Sequence, residues 1–134
     1  MTRRCAGAAS ALAIAAWLAG CGTATSDLIA LDVTGGPAHA RERIRVTDDG
    51  RASCGGPLRQ IPSQTLLDAR EVKRALRPLA RRGATFTTSR PGARRYRVRS
   101  FDGIVRWTEG APGPPALGRA TLLALRLERE LCRP

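Results

Sequence analysis

Asp102-Gly103 sits between two runs in which polar and apolar residues alternate, and this stretch constrains the fold more than any other. Residues 95–101 read Arg-Tyr-Arg-Val-Arg-Ser-Phe, and residues 104–109 read Ile-Val-Arg-Trp-Thr-Glu. Asp-Gly adopts the positive φ angles of a two-residue hairpin loop at little cost, so the two runs are expected to pair as antiparallel strands. A loop at Asp102-Gly103 sets Ser100 opposite Val105, Val98 opposite Trp107 and Tyr96 opposite Glu109. That face is mostly apolar and needs a cover. The other face carries Arg95, Arg97, Arg99 and Arg106, with Phe101 and Ile104 near the tip. In this register Arg99 lies across from Arg106, a like-charge pair that costs stability in isolation.

The remaining elements supply partners for the hairpin. Residues 27–34 read as a strand with Ile29, Leu31 and Val33 on one face, ended by Gly35-Gly36-Pro37. Residues 41–47 form a second strand, with Ile44 and Val46 inward and Arg43, Arg45 and Thr47 outward. A three-residue loop 48–50, with Gly50 left-handed, places Ala52 opposite Val46 and Cys54 opposite Ile44, all on the core face. Residues 55–62 read as a loop. Residues 63–82 read as a helix with Leu66, Ala69, Val72, Leu76 and Leu79 on one stripe. Asp68 and Glu71 resemble a capping box that would start the helix later. Pro78 predicts a kink or break, because it removes a backbone bond and crowds Arg74. A short strand is expected over 84–88. Pro114-Pro115 opens a last helix whose buried stripe is Leu117, Ala120, Ala124, Leu127 and Leu131, closed by Cys132. The expected architecture is α+β: a small antiparallel sheet of two hairpins, with two amphipathic helices packed on one face.

The first residues do not belong to that domain. Arg3 and Arg4 precede an apolar run from Cys5 to Trp17, and small residues follow before Cys21. The run is shorter than the roughly 20 apolar residues of a spanning helix, and its three-part layout is that of an export signal. Leu18-Ala19-Gly20-Cys21 resembles the lipobox of bacterial lipoproteins. The resemblance implies a signal peptide over 1–20 and a diacylglyceryl and palmitate-bearing Cys21 as the first mature residue. It places the protein on the extracytoplasmic face of a bacterial membrane. Residues 21–26 then form a short tether, reaching less than ~20 Å even when extended. Residues 27–134 form a single domain. Cys54 and Cys132 are the cysteines left over, and an oxidising compartment makes a disulfide their default, over two buried thiols or an intermolecular bridge.

The formal charge is +12, and removal of Arg3 and Arg4 lowers it by two. Such a balance attracts polyanions: anionic lipid headgroups, wall polymers or nucleic acid. Export disfavours nucleic acid, and an aromatic content of 4% leaves no stacking platform for single strands. The chain shows no nucleophile elbow, glycine-rich phosphate loop or paired metal ligands. Its only histidine, His39, lies in a Gly-Pro-Ala-His loop and reads as a solvated residue. Asp48-Asp49 is explained by the turn it occupies. The expectation is a non-enzymatic module without a cofactor or metal, held to the membrane through Cys21. Its candidate polyanion-binding residues are Arg95, Arg97, Arg99 and Arg106.

Leu31-Asp32-Val33-Thr34-Gly35-Gly36-Pro37-Ala38, with Arg41, Arg43 and Ile44 after it, resembles the opening of the emfourin family. There a strand ends in a Gly-Gly turn and a basic second strand follows. An amphipathic helix, a Tyr-containing hairpin and the final helix opened by Pro114-Pro115-Ala116-Leu117 extend the likeness over 27–131. The resemblance implies an alternative function, a protein inhibitor of a thermolysin-like metallopeptidase, tethered at the cell surface. Pro37, Cys54 and Cys132 depart from the family pattern, and no inhibitory loop maps onto particular residues.

Overall fold

A computed structural model describes residues 25–38 and 40–133. The leader, Cys21 and His39 lie outside the described residues. The elements are strands β1 (Asp27–Gly35), β2 (Ala40–Thr47), β3 (Arg51–Cys54) and β4 (Arg59–Gln60), helix α1 (Ser63–Arg81), and strands β5 (Thr85–Phe86), β6 (Arg95–Ser100) and β7 (Gly103–Thr108). Helix α2 (Pro115–Leu127) follows and runs into a π-helical turn, Glu128–Cys132. One sheet holds all the strands in the order β4-β3-β2-β1-β6-β7-β5. The helices pack on one of its faces, an α+β arrangement.

β1 lies in the middle because it is the strand with apolar residues at successive positions. Leu28, Ile29, Ala30, Leu31 and Val33 are all buried, which fits a strand flanked on both edges. A register shift between Asp27 and Ile29 marks a bulge, and Leu28 joins the core beside Ile29 there. β2 and β3 pair with Ile44 opposite Cys54 and Val46 opposite Ala52. This is the register expected from a three-residue loop, with Gly50 at φ 83° and its N–H donating to the Thr47 carbonyl at 3.1 Å. Ala69, Val72, Leu76 and Leu79 of α1 and Leu117, Ala120, Leu123, Ala124 and Leu127 of α2 complete the core with Tyr96, Val98, Val105 and Trp107. Tyr96 and Trp107 stack with ring centroids 5.2 Å apart.

Several expectations are corrected. The β6–β7 loop is Phe101-Asp102, not Asp102-Gly103: Ser100 pairs with Gly103, Val98 with Val105, Tyr96 with Trp107, and Arg97, rather than Arg99, with Arg106. The reason lies in α1. Gly103 packs so closely under the helix end that a Cβ there would sit 2.3 Å from the Ala80 carbonyl oxygen. The Asp102 side chain, 9% exposed, turns to Arg77 and Arg81. A shift of two residues preserves side-chain parity, so both faces of the hairpin keep their predicted residues. The sheet is not wholly antiparallel, because β5 runs parallel to β7. The stretch read as a loop over 55–62 contains edge strand β4, paired with β3.

α1 starts at Ser63, and Asp68 is no cap: its carboxylate accepts from Gln64 and pairs with Arg126 of α2. Nor does Pro78 break the helix. Its ring is exposed, while the buried side chains of Leu76, Leu79 and Ala80 hold the backbone on either side. The helix ends as predicted at Gly83, φ 61°. Gly83 donates to the Ala80 carbonyl and Ala84 to the Leu79 carbonyl, both at 3.0 Å, the Schellman pattern that satisfies two free carbonyls.

Candidate functional site

Both helices lie on one side, so the opposite face of the sheet is uncovered, and alternation decides what it shows. Positions 41, 43 and 45 of β2 pair with 34, 32 and 30 of β1, which pair in turn with 95, 97 and 99 of β6. Three rows of side chains therefore cross the strands, about 4.8 Å apart from strand to strand. The first row reads Arg41, Thr34, Arg95, Thr108. In the second, Arg43, Asp32, Arg97 and Arg106 line up, with Thr85 of β5 beyond. Arg45, Ala30, Arg99 and Ile104 make the third. Only 6% of Ala30 is exposed although it has no helix over it; long arginine stems can cover such a small residue while their heads stay wet.

Two carboxylates interrupt this field. Asp32 accepts from Arg43 Nε at 3.0 Å and lies 3.8 Å from Arg97. Asp27 takes Arg45 at 2.8 Å, and this bond raises the Arg45 pKa further above its ordinary value. Exposed pairs of this kind contribute about 0–1 kcal/mol each, so they do not tie the face shut. Among the described residues, Arg41, Arg95, Arg99 and Arg106 have no carboxylate within ion-pair distance. The Nε of Arg97 is buried without a hydrogen-bond partner. Arg95, Arg97 and Arg106 border a shallow groove of ≈ 720 Å3, together with Thr34, Thr85 and Thr108. Planar guanidinium groups beside threonine hydroxyls offer many donors in a small area, the chemistry that receives phosphate or carboxylate oxygens.

The structure brings together all four arginines named from sequence. It adds Arg41, Arg43 and Arg45, which strand alternation marks as outward but cannot join to the hairpin. Only the β1–β6 pairing does so, and nothing local in the sequence announces it.

A second polar cluster lies on the helix side, at the far end of the sheet. Arg94, just before β6, donates to both Glu128 oxygens at 3.0 and 3.1 Å. The Glu128 side chain is only 4% exposed. Burial raises its pKa above the ordinary carboxylate value; Arg94 opposes the rise and Glu42 adds to it. Burial likewise raises the Tyr96 hydroxyl, again against Arg94. The π-helical turn carries Glu128 into this cluster and ends at Cys132, which is bonded to Cys54 with Cα atoms 5.4 Å apart. The bridge ties the end of the helical layer to β3, across 78 residues of sequence. Asp48 and Asp49 act as turn residues: Asp48 accepts from Ser26, and Asp49 from Arg51. Bonds from Thr47 and then Arg51 hold the Asp49 carboxyl below its ordinary value. Among the described residues no group of histidine, cysteine or carboxylate side chains could hold a metal ion. Nor is any described helix long and apolar enough to cross a membrane.

No protein-family model, curated protein or solved structure matches the chain. The likenesses to lipoproteins and emfourins rest on short sequence motifs alone.

Proposed function

We propose that this protein is a lipid-anchored, non-enzymatic module of the bacterial envelope whose arginine-lined sheet face binds polyanions. The supporting observation is the one-sided cover of the sheet: a face with seven arginines and two carboxylates in register, open to solvent. Anchoring through Cys21 rests on the Leu-Ala-Gly-Cys sequence. The ligand class is phosphate-bearing, as a lipid headgroup layer or an anionic wall polymer is. Recognition is electrostatic and has low sequence or shape specificity.

The test uses the soluble domain, residues 22–134, with vesicles containing phosphatidylglycerol. Arg95→Ser, Arg99→Ser and Arg106→Ser are combined, because these side chains are exposed and unpaired, whereas Arg97 also serves Asp32. Each cation near an anionic surface adds about 1 kcal/mol, so the triple variant is expected to bind roughly 100-fold more weakly. Wild-type binding is expected to fall steeply between low and physiological salt. Equal binding by the two proteins, or binding indifferent to salt, overturns the reading. Anchoring is tested separately: Cys21→Ser should abolish fatty-acid labelling and leave in the membrane fraction only protein that high salt removes.

A further inference from the structure

The chain enters the fold beside the most exposed aromatic residue of the domain. Phe101, at the β6–β7 tip, is 97% exposed. β1 and β6 are antiparallel, with Ala30 opposite Arg99, so the start of β1 and the end of β6 share one end of the sheet. Ser26 and Asp27 border the same surface groove as Arg99, Ser100 and Phe101. The turn 48–50 lies there too, since Ser26 donates to the Asp48 carboxylate at 2.7 Å.

α1 runs across this end. Arg70 donates to the Asp48 carbonyl at 3.0 Å, and Arg77 to Asp102 at 3.3 Å. Arg70, Lys73, Arg74 and Arg77 recur at helical spacing and share one side of α1. Asp27, Asp48, Asp49 and Asp102 also lie at this end, and Asp27, Asp49 and Asp102 are each engaged by an arginine. Among the described residues Lys73, Arg74 and Arg99 have no carboxylate within ion-pair distance.

From this we infer that the end of the sheet carrying Phe101 is the membrane-docking end, with the Phe101 ring seated in the bilayer interface and the surrounding cations on anionic headgroups. The inference rests on anchoring through Cys21. Only residues 22–26 separate that cysteine from β1, a reach of less than ~20 Å. A bilayer therefore stays within reach of the end of the sheet that carries Phe101. An aromatic ring suits the headgroup level, and a basic surround adds to its hold on anionic lipid. Phe101 takes no part in the core, so its ring is free to enter an apolar layer outside the fold.

The experiment uses the mature lipidated chain in phosphatidylglycerol-containing vesicles whose acyl chains are brominated at a shallow position. Phe101→Trp introduces a reporter at an exposed site that the fold does not use. The native Trp107 is 4% exposed and stacked on Tyr96, and wild type gives its baseline. A second variant, Arg90→Trp, places an indole in the exposed loop before β6, at the opposite end of the sheet. Bromolipid is expected to quench roughly half of the emission added by Phe101→Trp, as for a side chain 5–10 Å into the boundary, and none of that added by Arg90→Trp. Equal quenching of both indoles, or of neither, overturns the docking end while leaving anchoring intact. A mature chain whose mass carries no lipid at Cys21 overturns anchoring, and the docking end with it.

Discussion

Arg94→Met keeps an unbranched apolar stem but removes the guanidinium from a carboxylate that is almost wholly out of water. Both oxygens of Glu128 accept from Arg94 Nη1, and the Glu128 side chain is 4% exposed. Breaking a buried pair by deleting one partner costs about 3–5 kcal/mol, because the remaining charge is left desolvated. Against a total stability of about 5–15 kcal/mol for a small domain, the loss is large. It is also expected to depend on pH. Burial already raises the Glu128 pKa, with Arg94 opposing; removing Arg94 raises it further. A carboxyl whose folded pKa exceeds its unfolded value holds the extra proton in the folded state. The penalty is therefore absent below the unfolded value and grows as pH rises from there through the folded one. Urea denaturation at pH 7 and at pH 5 reads this directly. Arg94→Met should lose several kcal/mol at pH 7 and clearly less at pH 5. Glu128→Gln in the same background should restore most of the difference and flatten the pH dependence. A loss of equal size at both pH values, or no rescue by Glu128→Gln, would falsify the assignment of the cost to a stranded carboxylate.

Reduction of Cys54–Cys132, or Cys54→Ser with Cys132→Ser, should destabilise the domain by about 4 kcal/mol, the chain-entropy value for a loop this long; thermal melts with and without reductant check it, and non-reducing mass spectrometry should find no free thiol at either position. Gly103→Ala drives a Cβ to 2.3 Å from the Ala80 carbonyl at a φ of 130°, so a loss of about 2 kcal/mol or more in denaturant midpoint experiments is expected. Pro78→Ala should do the opposite and stabilise by about 1–3 kcal/mol, since it gives the Arg74 carbonyl its helical partner at an exposed site; an unchanged melting temperature would show that the helix has already absorbed the proline.

Much of this molecule could be read from local pattern. Alternation assigned the two faces of β2 and of the β6–β7 hairpin, except that Thr47, read as outward, is buried where its hydroxyl turns back to Asp49 and the Arg51 carbonyl. A parity argument placed Cys54 opposite Ile44, because only that register buried four apolar or thiol side chains together. Helical spacing found the stripes of α1 and α2, and Gly83 marked a real stop. These features follow from backbone geometry and the exclusion of apolar side chains from water, which act over a few residues at a time. The hairpin loop was misplaced because Asp-Gly is a strong turn signal only when nothing else competes. Here the carbonyl of Ala80 and the guanidinium groups of Arg77 and Arg81, some twenty residues earlier, claim Gly103 and Asp102 for themselves. Pro78 does not break the helix for a related reason: packing of Leu76, Leu79 and Ala80 outweighs one missing backbone bond. The parallel pairing of β5, the edge strand β4 and the partnership of Arg94 with Glu128 are contacts between distant segments, set by which surfaces remain to be covered once the helices have docked. The same holds for the candidate site. Sequence named Arg95, Arg97, Arg99 and Arg106, but only the insertion of β1 between β2 and β6 merges two separate basic strands into one face, and only the docking of both helices on the other side leaves that face open.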